Sequence, residues 1–178
     1  MSTIPVGTYD IDTAHSVVGF SVRHAGVARV RGTFNEFSGS ITVAENFADS
    51  QAQVEIQSAS VDTGQDARDE HLRSADFWHA EEHPTWTFTS TSVEGSGEEF
   101  TLNGDLTVNG VTKPVSLDVE LEGAGPGPDG KQRLGFSAST EISRKEFGLT
   151  WNVAMEGGGL LVSDRVRISI DVAAAAQE

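Results

Sequence analysis

The chain has no cysteine among its 178 residues, which excludes disulfides, thiolate metal sites and cysteine nucleophiles. A Cys-free chain suits either redox compartment. Basic residues are also scarce: 12 Lys and Arg stand against 27 Asp and Glu, for a net charge of −15 and a pI near 4.5. Such a charge repels phosphate backbones and anionic lipid surfaces, so neither nucleic-acid binding nor docking on an acidic leaflet is expected. No apolar run approaches the roughly eighteen residues a membrane span needs, and the chain is not expected to be membrane-spanning. Residues 1–7 have neither a basic start nor an apolar core of signal-peptide type, which points to a cytoplasmic address. A Gly-x-Ser-x-Gly elbow is missing, and Gly157-Gly158-Gly159 lacks the Lys-Ser/Thr ending of a phosphate loop, reading instead as a bulge or turn. No catalytic residue, no cofactor and no enzyme activity are expected.

What is present is alternation. Phe100, Leu102, Leu106 and Val108, with Gly104 in phase, alternate with Thr101, Asn103, Asp105 and Thr107. Val115, Leu117, Val119 and Leu121 alternate with Ser116, Asp118 and Glu120, and Val166, Ile168, Ile170 and Val172 with Arg167, Ser169 and Asp171. Val18, Phe20 and Val22 repeat the pattern, and shorter versions occupy residues 37–43, 54–56, 86–88 and 136–142. A period of two sets one strand face in water and the other against apolar matter. Parallel strands covered on both faces would read as unbroken apolar runs. The sheet is therefore expected to be antiparallel and wet on one side. About eight strands are countable, and an eight-stranded barrel holds side chains or one small ligand. At this length one all-β domain spanning residues 1–178 suffices.

Turn chemistry separates the strands at residues 44–51, at the Gly-rich 94–99, and at Asn109-Gly110, where Pro114 is expected to close the turn. Asn103-Gly104 looks like a turn, but the apolar phase runs through it, so Gly104 marks a bulge or a close backbone approach. Residues 123–130 (GAGPGPDG) read as a long surface loop. One segment breaks the rhythm: residues 66–73 (DARDEHLR) are helix formers with acids early and Arg73 late, cappable by Asp62 or Thr63. A short helix there can line or plug one barrel end, with Leu72, Phe77 and Trp78 turned inward.

Several blocks carry a family likeness. They are Tyr9-Asp10-Ile11-Asp12 with His15-Ser16 and Phe20…His24; Gly32-x-Phe34-x-x-Phe37-x-Gly39; Arg68-Asp69-x-His71-Leu72-x-Ser74-x-Asp76-Phe77; and Pro84…Phe88. Further on come Gly104-x-Leu106-Thr107-x-x-Gly110-Val111-Thr112-Lys113-Pro114-Val115, Arg144-x-x-Phe147-Gly148 and the closing strand from Val166. With these blocks in order, the chain resembles the YceI-like family of lipocalin-like, polyisoprenoid-binding β-barrels. The resemblance implies a single antiparallel lipocalin-like barrel holding a long apolar lipid, a polyisoprenoid or fatty-acyl chain, for carriage or sequestration. Many family members carry a secretory signal, and residues 1–7 do not look like one.

The candidate lining is Phe20, Val22, Phe37, Ile41, Phe77 and Trp78, then Trp86, Phe88, Leu102, Leu106, Phe136 and Phe147. Alternation by itself allows a solid barrel in which these side chains only pack; the resemblance favours a cavity. His24 and His71 lie in the family-like blocks and read either as head-group contacts or as imidazoles held by Asp76 or backbone. Arg144 either guards the barrel mouth or closes a structural salt bridge. His79-x-x-x-His83 has the spacing of a zinc-binding helical pair, but Pro84 follows at once and places the pair in a loop. No metal ligand is assigned. Two rival functions remain, a metal-assisted enzyme built on His79 and His83 and a ligand-free barrel with an interaction or stress-related role. The sequence leaves a homodimer open.

Overall fold

A computed structural model of the chain describes residues 4–95, 97–153, 155 and 161–177. Among them are strand segments β1 (Gly7–Ile11), β2 (Val17–His24), β3 (Ala28–Phe34), β4 (Phe37–Val43), β5 (Gln51–Gln57) and β6 (Val61–Asp62). A short helix, α1 (Asp66–Arg73), follows. After it come β7 (Thr85–Gly95), β8 (Glu99–Val108), β9 (Val111–Pro126), β10 (Gln132–Ser143) and β11 (Val162–Ala176). All pairings are antiparallel, and β11 returns to pair with both β1 and β2.

The segments make eight long strands, because the first three are each broken once. β1 and β2 lie end to end along β11, with Ile11 opposite Ala174 and Val17 opposite Asp171. β4 and β3 run beside them in the same order, followed by β5 and β6. The ring is thus β1/β2, β3/β4, β5/β6, β7, β8, β9, β10 and β11, a closed up-and-down barrel. Each stretch of alternation picked out in the sequence falls on a different one of these eight strands.

The three breaks lie side by side and form a crease whose backbone groups find partners. Asp12 accepts from Ala14 N (3.1 Å) at the first break, and Ser16 Oγ accepts from Ala173 N (2.9 Å). Across the other two, Asn35 N donates to Ser60 O (3.1 Å) and Gln57 N to Glu36 O (2.9 Å). Buried backbone groups need such partners, so the barrel wall bends here without opening. β3 escaped sequence detection because Gly32 fills the inward slot between Val30 and Phe34. The Phe20 ring lies where a Gly32 side chain would be.

α1 has the boundaries its composition predicts, but not the predicted cap. Gln65 is the N-cap and makes no side-chain bond. The link comes from inside the helix: the Asp69 carboxylate accepts from Thr63 N (2.9 Å) and Thr63 Oγ1 (2.6 Å), while Asp62 accepts from Gly64 N (2.9 Å). The expected loop over 123–130 is half strand, since β9 continues to Pro126 and Gly123 and Gly125 pair with Gly135 and Arg133, and only residues 127–130 turn. Glycine-rich composition concealed a ladder whose backbone bonds need no side chain. Pro114 sits inside β9 opposite Asp105 and does not close the 109–110 turn; Asn109 and Gly110, both at positive φ, make that turn alone. The Gly157–Gly159 run read as a bulge or turn lies outside the described residues.

Up-and-down connectivity gives the barrel two distinct ends. The β2–β3 turn, the 63–84 insertion carrying α1, the 109–110 turn and the segment between β10 and β11 share one end, called here the helix end. The β4–β5, β7–β8 and β9–β10 connections share the other.

Gly104 fulfils both readings made of it. β7 shifts register between Ser90 and Ser92 opposite it, and the Phe88 ring covers it, so that an added Cβ would sit 2.5 Å from Phe88 Cζ and 2.7 Å from Thr89 O. Gly104→Ala should therefore destabilise the barrel by about 1–3 kcal/mol through overpacking. A urea melt indistinguishable from that of the native chain would contradict this packing.

Candidate functional site

The barrel encloses a cavity of about 520 Å³, within the range of roughly 300–1,000 Å³ typical of small-ligand sites. Its wall is built by the period-two faces: Val18, Phe20, Val22 and His24 from β2; Leu102, Leu106 and Val108 from β8; Val166, Ile168, Ile170 and Val172 from β11. Phe20, Phe37, Ile41, Val54, Phe100 and Leu102 all face it and are only partly buried. Close packing would have covered them completely. The interior is hollow, and the solid barrel that alternation allowed is not the one formed.

Aromatic rings dominate two zones. Toward the helix end, Trp78 from the insertion meets Trp86 at 4.9 Å, Phe34 at 6.2 Å and Phe20 at 6.2 Å between ring centres. Phe77 joins Trp78 at 6.0 Å and Trp151 at 5.2 Å. Such offset and edge contacts add about 0.5–1.5 kcal/mol per pair beyond burial. Neither indole Nε1 of Trp78 and Trp86 has a hydrogen-bond partner among the described residues; the two rings meet edge to face, an arrangement in which an N–H can rest against a π face. Toward the other end, Phe100 packs on Phe47 at 5.0 Å and on Phe136 at 6.1 Å.

All but one of the residues chosen from sequence line the cavity: Phe20, Val22, His24, Phe37, Ile41, His71, Phe77, Trp78, Trp86, Phe88, Leu102, Leu106, Phe136 and Arg144. The exception is Phe147, which is fully buried but outside the lining. It belongs to a 3-10 turn, Arg144–Phe147, where strand phase no longer predicts direction. Phe77 and Trp78 are chain neighbours, yet both line the cavity and both are buried. Sequence reasoning left Phe34, Phe100 and Trp151 out of the site. Phe100 was legible, in phase with Leu102; Phe34 lies past the Gly32 gap that hid β3, and Trp151 follows no pattern.

The charged and imidazole-bearing lining, His24, Arg68, His71 and Arg144, collects at the helix end. His71 on α1 is hydrogen-bonded through Nε2 to Asp76 (3.0 Å), half-exposed, with its ring 4.7 Å from Trp151 and 5.1 Å from Phe77. Arg68 is tied to Thr63 through Nε (2.8 Å) and Nη2 (2.9 Å). Arg144 is buried and donates to four backbone carbonyls: Ser163 O (2.9 Å), Leu149 O (2.6 Å), Trp151 O (2.9 Å) and Val162 O (3.1 Å). It is a staple that binds both ends of the 149–162 segment to the barrel, and burial pushes its pKa down, partly offset by Asp164. His79 and His83 lie in a turn closed by His83 N to His79 O (2.9 Å), and the His79 ring is turned to Glu82 at 3.5 Å. Among the described residues no three His, Asp or Glu side chains converge as a metal site.

The model of the YceI-like domain matches residues 9–174. The chain belongs to the YceI-like family. A UPF0312 protein of Photorhabdus laumondii is 47% identical over 139 residues, covering 78% of this chain and 72% of that one. The Escherichia coli O157:H7 protein YceI is 45% identical over 141 residues, 79% and 74% of the two chains. Among solved structures, a Campylobacter jejuni YCEI protein superposes with a TM-score of 0.76 at 33% identity over the whole of both chains. At lower identity the fold persists. A polyisoprenoid binding domain from Saccharophagus degradans has a TM-score of 0.73 at 17% identity, covering 97% of this chain and 100% of that one.

Beside the Arg144 staple, burial opposes ionisation of Asp164. It is outweighed by hydrogen bonds from Ser143 Oγ and Lys145 N and by the Lys145 and Arg144 charges, which together hold this carboxyl below its usual range. A carboxyl with a lower pKa folded than unfolded stabilises fully above its ordinary pKa of about 4 and loses that contribution as pH falls below it. Arg144→Ala should cost at least about 3 kcal/mol, because four carbonyls lose a charged donor, and Asp164→Asn should flatten the loss of stability on acidification. Urea midpoints for the native chain and both variants across that pH range check this; an Arg144→Ala protein of native stability would remove the staple.

Proposed function

We propose that this YceI-like barrel binds a long apolar lipid, of polyisoprenoid or fatty-acyl type, and serves to carry or sequester it. The observation that carries this reading is the hollow interior: a cavity ringed by hydrocarbon and aromatic side chains, with its few charged groups gathered at one end. An apolar chain gains roughly 0.8 kcal/mol per buried methylene, so a five-carbon isoprene unit contributes about 3–4 kcal/mol before ordering costs. A few units then suffice for firm binding. The polyisoprenoid binding domain of Saccharophagus degradans, which shares the fold, supports the choice of ligand class. His24, His71 and Arg68 are placed to meet a polar head at the helix end while the tail runs toward Phe100 and Phe136. No reaction is proposed. For the metal-assisted alternative, His79 and His83 lie in a turn with the His79 ring on Glu82, and among the described residues no three His, Asp or Glu side chains are grouped to hold a metal.

Affinity should rise with chain length, up to about fourfold per added methylene, and level off once the tube is full. Changes of head group should matter less. Titration of delipidated protein with a graded series of fluorescent acyl and prenyl chains tests this. Ala138, a small residue on the inward face of β10, supplies a complementary test: Ala138→Trp should keep the fold and weaken binding of the longest chains most. Affinity that ignores chain length but follows the head group would move the site to a polar surface and overturn the reading.

A further inference from the structure

The net charge of −15 conceals an opposite local charge. Five arginines, Arg23, Arg29, Arg31, Arg165 and Arg167, lie on the outer face of three adjacent strands, β11, β2 and β3, and all are exposed. They are 5 of the chain's 12 basic residues. Register arranges them in two rows. Arg23 stands directly opposite Arg29, while Arg31 and Arg167 flank Ser21 from either side. None of Arg23, Arg29, Arg31 and Arg167 has a side-chain hydrogen bond or ion pair among the described residues, and Arg165 has only a long contact to Glu141 (3.9 Å). Acids border the group at Glu141, opposite Arg167, at Asp62, which pairs at the far edge of β3, and at Asp164, the chain neighbour of Arg165, which is held by Ser143 and Lys145. Like charges directly opposite on a sheet destabilise it, so folding gains nothing from this arrangement.

The plate adjoins an exposed apolar tip. The β2–β3 turn carries Val27, 90% exposed, on a backbone set by Ala25 and Gly26 at positive φ. Ala25 N donates to Leu161 O (2.6 Å), and Leu161 N to Val153 O (2.9 Å), which brings a second exposed apolar residue, Val153, to the same end. Leu161 and His24 also line the cavity. Basic plate, apolar tips and the polar end of the cavity are therefore contiguous.

We infer that this face docks on an anionic phospholipid bilayer, with Val27 entering the headgroup layer and the helix end of the cavity turned to the membrane. Arginines near an anionic surface each contribute about 1 kcal/mol. The exposed acids of the 63–84 insertion, Asp66, Glu70, Asp76, Glu81 and Glu82, share the helix end, and screening weakens their repulsion only beyond a Debye length of about 8–10 Å, so the arginine face and the β2–β3 turn lie against the bilayer with α1 tilted away. An exposed valine at the tip suits a bilayer, whereas an RNA backbone would use the arginines alone. The expectation from net charge, that an acidic leaflet is repelled, is thereby reversed for one face. The proposal gives the lipid-binding reading a route for loading, yet its assay needs no cavity ligand, so the two can fail separately.

The test is flotation of the purified full chain with vesicles of equimolar phosphatidylglycerol and phosphatidylcholine, and with vesicles of phosphatidylcholine alone. Binding is expected only to the anionic vesicles and should fall as salt rises. The triple variant Arg23→Ser, Arg29→Ser, Arg31→Ser should lose about two orders of magnitude in affinity, with melting temperature unchanged or raised because the Arg23–Arg29 repulsion is gone. Val27→Asp should weaken binding without moving the melt. No flotation, equal flotation with both vesicles, a triple variant that floats like the native chain, or tight binding of duplex RNA with vesicles ignored would overturn the proposal.

Discussion

Closing eight antiparallel strands into a ring is the constraint on which everything else here depends. Closure pairs the long strands on both sides and, among the described residues, leaves the two-residue β6 joined to β3 alone, and it obliges every second side chain to face one shared interior. Two long strands at the seam do this, β11 pairing with β1 near Ala174–Ala176 and with β2 from Asp171 back toward Val162. Because β11 must serve both segments, β1/β2 bends between them, and the bend is copied into β3/β4 and β5/β6. An eight-stranded ring is barely wide enough for its own side chains. The crease, together with glycines at the inward positions 32 and 104, is what accompanies open space in this one.

The helix end shows how the same chain makes a mouth. The insertion between β6 and β7 supplies both a greasy wedge, Phe77 and Trp78, and the polar lining of Arg68 and His71. Its geometry is held locally: Asp69 ties α1 to Thr63, and Arg73 reaches Ala59 O (2.8 Å) and Glu70 (2.7 Å). Opposite it, Arg144 anchors the chain entering and leaving residues 149–162. The two elements meet where His71 and Phe77 touch Trp151. Four carbonyls on one guanidinium make this contact a matter of backbone chemistry, less dependent on side-chain packing than the aromatic zone below it.

Much of this was legible in the sequence, for a stated reason. Period two is a strong signal where the inward positions carry large side chains, as in β9 and β11 and on either side of Gly104 in β8, and those strands and the lining they carry follow from it; the helix at 66–73 follows from its composition. The signal fails where glycine takes the inward slot, as at Gly32 in β3, or where backbone pairing needs no side chain, as at Gly123 and Gly125. It fails again past a strand's end: Phe147 has the right chemistry but lies in a turn, and Trp151 lies in no repeat at all. Arg144 was visible as a residue of interest, yet its role depends on four carbonyls from positions 149 to 163, which no spacing rule brings together. Net charge is silent on a different point, since an average over the chain says nothing about five arginines that register collects on one face.

The central claim is that the hollow interior exists to hold an apolar chain. Organic extraction of protein purified from a lipid-producing cell, followed by mass spectrometry of the extract, tests it most directly. The account predicts a long-chain apolar molecule in near-stoichiometric amount. An extract without such a molecule, from protein that after delipidation also fails to take up a fluorescent lipid analogue, would contradict it.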